Sequence, residues 1–101
     1  MTTPIDMALA AEIVAAGTAS GKTVVTAESC TGGMVAAALT DISGASAVLD
    51  RGLVTYSNDA KSSLLGVTGA TLASHGAVSP ETAAEMATGA LAAAPQSHVA
   101  V

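Results

Sequence analysis

The run ESCTGG, residues 28–33, sets a hydroxyl at Ser29, a thiol at Cys30 and a second hydroxyl at Thr31 ahead of two glycines. A serine at a strand-to-helix junction has a chemical advantage. The first backbone N–H groups of a helix lack partners inside it and carry partial positive charge, so an oxyanion or a phosphate can settle beside the hydroxyl. Gly32 and Gly33 lack β-carbons and let a ligand approach the backbone, and Thr31 adds a donor. The same pattern also serves as a simple capped turn, and spacing alone does not separate the two readings.

A serine hydroxyl is a weak nucleophile near neutral pH and needs a base. The histidines are His75 and His98. His75 falls in a glycine-flanked turn and His98 in the β-rich end of the chain, which points to surface or structural roles for both. Lys61 is the better candidate, because Ser–Lys pairs are an established form of nucleophile and base. A lysine acts as base only as the free amine, a form favoured by burial and by a nearby helix N-terminus. By position alone it also reads as a solvated surface lysine. Tyr56 is the sole aromatic residue. It is suited to stack on a planar ring or to donate to developing charge, or else to sit half-buried with its hydroxyl in water. Cys30 reads more simply as a small residue at the start of the turn.

These residues depend on the elements that carry them. Helical spacing of Ile5, Leu9 and Ile13 with Ala10, Val14 and Gly17 predicts a helix over residues 4–19, capped by Thr3 with Pro4 at its first position. A strand follows at 23–28, then a short helix at 32–40 and a loop at 41–46. A second strand spans 51–57, ending near Tyr56. Asn58 caps a helix that carries Lys61 in its first turn, and Gly66 ends it. A helical turn precedes Ser79 and Pro80, which open a helix to about residue 94, and residues 97–101 read as a third strand. Alternating helices and strands imply an α/β fold, with a mostly parallel sheet covered on both faces in three α/β/α layers. Right-handed crossovers then place the C-terminal ends of the strands along one edge, so Ser29, Tyr56 and Lys61 should face one crevice.

Composition narrows the functions available. With 101 residues the chain makes one domain, and with a single aromatic its core must come from Ala, Val, Leu, Ile and Met. Eight acids against three bases give a net charge of −5, which leaves little to drive nucleic-acid binding. One cysteine cannot form an internal disulfide, the N-terminus has no basic region ahead of its apolar residues, and no apolar run reaches spanning length. The expectation is a cytoplasmic protein with no nucleic-acid or membrane partner. No metal-ligand cluster is evident, so neither a metal nor another cofactor is expected.

The segments TAESCTGG (26–33), DRGLVTYSNDAK (50–61), LLGV and HGAVSPETAAEMATGAL occur in the same order as in the CinA C-terminal domain family, which this chain resembles from residue 23 onward. The resemblance implies a Ser–Lys amidohydrolase that converts nicotinamide mononucleotide to nicotinic acid mononucleotide and ammonia, in pyridine nucleotide recycling. It carries the nucleophile to Ser29, the base to Lys61 and a substrate-facing or dyad-facing role to Tyr56, with Thr31, Gly32 and Gly33 holding the oxyanion or phosphate. It further implies a homodimer, and a sheet with the first strand between the other two.

In that family the strand matching SHVAV continues into a Thr-Gly-x-Ala-Gly-Pro loop, further strands and a closing helix. Against that pattern residues 1–101 form an incomplete domain, short by roughly a third of a typical one. The expectations are weakened activity, an open apolar edge at residues 97–101 and a partner chain able to cover it. A non-catalytic nucleotide-binding or dimerisation module is the alternative function. Tight binding of uncleaved nucleotide would distinguish it.

Overall fold

The structure, a computed structural model, describes residues 6–101. Helix α1 (Met7–Ser20) begins at Asp6, whose carboxylate accepts from the Leu9 N–H at 2.9 Å. The cap expected at Thr3 and Pro4 lies outside the described residues. Strand β1 (Val24–Glu28) leads through the ESCTGG turn into α2 (Met34–Thr40), and a short 3-10 turn (Ala45–Ala47) precedes β2 (Leu49–Val54). Then come α3 (Asn58–Leu65), α4 (Gly69–His75), α5 (Pro80–Ala93) and β3 (Val99–Ala100).

The three strands are parallel and lie in the order β2-β1-β3. β1 is therefore central, as expected. The path runs from β1 out to β2 and then back across to β3, so the direction of winding reverses at β1. Helices consequently cover both faces. Successive side chains on β1 point to opposite sides. Val24 packs with Ala10 and Val14 of α1 and Leu39 of α2, whereas Val25 packs with Leu65 of α3 and Met86 and Ala90 of α5. This is the three-layer α/β/α arrangement.

The small residues expected in the core set how closely neighbouring helices approach. A β-carbon built on Gly89 of α5 would stand 1.8 Å from the Leu65 carbonyl oxygen of α3, so these two helices touch backbone to backbone. α1 departs from the expected single stripe. Ala10 and Val14 are buried, while Leu9 and Ile13 stand at the wall of an open cavity of about 650 Å³ between α1, α2 and the β3 edge.

Element ends differ in instructive ways. β2 stops at Val54 rather than near residue 57, although the Thr55 N–H still donates to the Glu28 carbonyl at 2.8 Å. Beyond that bond the carbonyls of Thr55 and Tyr56 turn away from the sheet toward Lys61. α3 is capped by Ser57, which accepts from the Ala60 N–H at 3.0 Å, so Asn58 is the first helical residue and not the cap. The third strand is confined to Val99–Ala100, and His98 just before it accepts the Thr23 N–H on Nδ1 at 3.0 Å.

Candidate active site

In an open parallel sheet, the crevice outside the strand ends at a reversal of winding is where ligands bind. Here that crevice lies at the C-terminal end of β1, where Ser29 sits. The turn that follows needs backbone angles closed to most side chains: Gly32 has φ 60° and Gly33 φ 107°.

Lys61 is 1 % exposed although it carries an amine. Its Nζ lies 2.8 Å from Ser29 Oγ, 3.0 Å from the Thr55 carbonyl oxygen and 2.9 Å from that of Tyr56. Carbonyl oxygens only accept, so these two contacts consume two N–H donors. The third position of Nζ faces a hydroxyl, which can accept from an ammonium or donate to the lone pair of a free amine. Among the described residues no carboxylate lies within ion-pair distance of Nζ; the ion pairs are Arg51 with Asp50 and His75 with Glu81.

The Tyr56 ring is 75 % exposed. It is the main-chain carbonyl of Tyr56 that meets the Lys61 amine, not its phenol. Neither His75 nor His98 hydrogen-bonds to Ser29. His75 stands 3.5 Å from Glu81, and His98 ties β3 to the start of β1.

Glu28 was not singled out in the sequence, yet it organises the turn. It is 3 % exposed, and its Oε1 accepts from Thr31 Oγ1 at 2.6 Å, the Gly33 N–H at 3.2 Å and the Val35 N–H at 2.9 Å. Oε2 accepts from the Ala36 N–H at 3.0 Å. Burial pushes the carboxyl up, but the bonds from Thr31, Val35, Ala36 and Gly33 outweigh it and hold the group below the ordinary glutamate value. A sequence signal existed: positions 24, 26 and 28 share one face of β1, so an acid at 28 points into the protein beside a helix start.

These bonds redistribute the donors expected at residues 31–33. The Gly33 N–H is held by Glu28, the Gly32 N–H by the Ser29 carbonyl at 3.0 Å and the Met34 N–H by the Thr31 carbonyl at 3.1 Å. The main-chain N–H groups of Cys30 and Thr31 meet no protein acceptor among the described residues. They belong to the two residues that follow Ser29 in the turn.

A cavity of about 480 Å³ opens at this point. Ser29 and Cys30 line it from the turn, and Val78, Ser79, Pro80 and Met86 from α5 and the residues just before it. Ser79 is not free for a ligand in the same way, since its Oγ accepts from the Thr82 N–H and donates to the Gly76 carbonyl. Among the described residues no group of three or more His, Cys, Asp or Glu side chains is arranged to hold a metal ion, and no helix is long and apolar enough to cross a membrane.

The fold is an open parallel α/β sheet with a hydroxyl and a buried amine in contact at its switch point. Comparison with known proteins gives it a family. The model of the CinA C-terminal domain matches residues 6–101. The nicotinamide-nucleotide amidohydrolase PncC of Escherichia coli K12 is 57 % identical over 88 residues, 87 % of this chain and 53 % of that protein. A CinA-like protein of Shewanella piezotolerans is 58 % identical over 84 residues, 83 % of this chain and 20 % of its own length. The crystal structure of the competence/damage inducible protein CihA from Agrobacterium tumefaciens superposes with a TM-score of 0.85 at 53 % identity, covering 91 % of this chain and 56 % of that one. The chain belongs to the CinA C-terminal domain family. It spans about half the length of the PncC relatives it matches.

Proposed function

We propose that this chain carries the reacting centre of a nicotinamide-nucleotide amidohydrolase, with Ser29 as nucleophile and Lys61 as base. The observation that carries this reading is the 2.8 Å contact between Lys61 Nζ and Ser29 Oγ, with the remaining Nζ donors satisfied by two carbonyls. That hydrogen-bond pattern is one an uncharged amine can complete, with its lone pair toward the serine hydroxyl.

The substrate is nicotinamide mononucleotide. Lys61 takes the Ser29 proton as Oγ attacks the carboxamide carbon, and the oxyanion is held by the N–H groups of Cys30 and Thr31. The ammonium of Lys61 returns the proton to the amide nitrogen, the C–N bond breaks and ammonia leaves. Water then gives a proton to Lys61 and attacks the acyl carbon, and Lys61 passes that proton to Ser29 Oγ as the acyl bond breaks, releasing nicotinic acid mononucleotide and restoring both side chains. Gly32 and Gly33 provide the turn that presents Thr31 and Cys30. The Tyr56 ring stacks on the pyridine ring.

The working form is a homodimer. The apolar cavity along α1 and α2 offers the second copy a surface. Ammonia release from nicotinamide mononucleotide by the purified chain, compared with Ser29→Ala, tests the assignment. Loss of release in the variant is expected, and full retention overturns it. Tight nucleotide binding with no ammonia from the wild type would favour a binding module instead.

A further inference from the structure

We infer that Glu28 is a positioning residue for this reaction, aligning Ser29 with Lys61 through both its side chain and its main chain. The inference rests on the Ser29–Lys61 reading above. Glu28 is followed directly by Ser29, and each of its polar groups grips a different wall of the site. Its carboxylate clamps the Thr31 hydroxyl and three amides from the turn and from α2, which sets the path of residues 29–33. Its carbonyl accepts from the Thr55 N–H at 2.8 Å, and the Thr55 carbonyl in turn accepts from Lys61 Nζ at 3.0 Å. One residue therefore links the segment carrying the nucleophile to the segment carrying the base.

The arrangement has a second consequence for the ligand. A carboxylate already occupies the start of α2, so a substrate phosphate meets a buried negative group there and not free amides. The donors left near Ser29 are the two N–H groups suited to a small oxyanion. Glu28 thereby divides the work: α2 holds the enzyme's own carboxylate, and the turn amides of Cys30 and Thr31 are left for the reacting carbonyl.

Glutamine at position 28 keeps the shape but turns one acceptor into a donor opposite the Ala36 N–H, which pushes the turn away. Displacement on the order of 1 Å at a nucleophile costs about 100-fold in rate. Glu28→Gln should therefore sulfonylate Ser29 with phenylmethylsulfonyl fluoride at least about 10-fold more slowly than wild type, under conditions where both are folded by circular dichroism. With nicotinamide mononucleotide, kcat should fall while KM stays within about 2-fold. Thr31→Val removes one of the clamping bonds and should slow labelling by about 3-fold, and Thr31→Ser, which keeps the hydroxyl, should restore it. This pair decides the matter if Glu28→Gln fails to fold.

The two readings fail separately. Normal Ser29 labelling without ammonia release overturns the substrate assignment and leaves Glu28 to be judged by labelling rates. Equal labelling of wild type and folded Glu28→Gln, or equal labelling of Thr31→Val and Thr31→Ser, overturns the role of Glu28. A wild-type chain in which Ser29 never labels overturns both.

Discussion

Lys61 Nζ and Ser29 Oγ stand 2.8 Å apart across a separation of 32 positions in sequence. Two parallel strands bring them together. β1 delivers the serine at its C-terminal end, and β2, paired with it from Val24 opposite Leu49 to Glu28 opposite Val54, delivers the chain that turns back through Thr55 into α3. The contact exists because both strands run the same way and end at the same level.

Arginine at position 61 keeps a cation but cannot act as a proton acceptor at accessible pH. Lys61→Arg should lower ammonia release by at least about 1,000-fold, comparable to loss of a dyad member. His75→Ala and His98→Ala should each stay within about 2-fold of wild type, since neither ring hydrogen-bonds to Ser29 and surface changes are usually mild. Parallel turnover assays check all three, and loss of activity in a histidine variant would point to a different base.

The exposed Tyr56 ring separates stacking from acid–base work. Tyr56→Phe should leave turnover within about 2-fold, and Tyr56→Ala should raise KM by about 5- to 10-fold with little change in kcat, the signature of lost ground-state binding. A large kcat loss in Tyr56→Phe would assign the hydroxyl to the chemistry. Steady-state kinetics over a range of nucleotide concentrations gives both constants.

Glu28 also links stability to pH. Its folded value lies below the ordinary 4.5, so the folded state binds this proton less tightly than the unfolded chain does. Its contribution is therefore complete above the unfolded value and is lost as pH falls through the lower, folded value. Glu85, held low by hydrogen bonds from the Thr71 side chain and the Thr68 N–H, acts in the same sense. Urea unfolding between pH 7 and pH 3 should show stability falling at the acid end, and Glu28→Gln should flatten that fall while lowering stability at pH 7 by about 1–3 kcal/mol. An unchanged acid slope in the variant would remove Glu28 from the account.

Gly89 tests the packing of α3 on α5. An alanine β-carbon there would meet the Leu65 carbonyl at 1.8 Å, and backbone cannot yield as a side chain would. Gly89→Ala should destabilise by about 2–3 kcal/mol despite alanine's better helix propensity. The shift of the urea midpoint measures it, and a neutral or stabilising result would mean that the two helices separate freely.

Much of this protein was legible along the chain, because caps, turns and strand-forming runs are decided by neighbours a few residues apart. Ser79 and Pro80 open α5 and Gly66 closes α3 as their types require. The ESCTGG segment, with glycines at its two positive-φ positions, marks the turn after β1. Small differences arose where two local choices were nearly equal: Ser57 and Asn58 both suit a cap, and the helix took the first.

The amides of Gly32 and Gly33 look available in sequence, yet one is closed by the Ser29 carbonyl and the other by the Glu28 carboxylate, a local closure that the face shared by positions 24, 26 and 28 signals. What neighbours could not decide was which groups meet across the strands. Tyr56 looks like the end of a strand, but its carbonyl is drawn to a buried amine and its ring left in solvent. Sequence alone determined which side chains the chain possesses and the local bends that carry them. Only the tertiary structure decided who bonds to whom, because the carbonyls and the hydroxyl around Lys61 come from two strands whose ends meet only when the parallel sheet has formed.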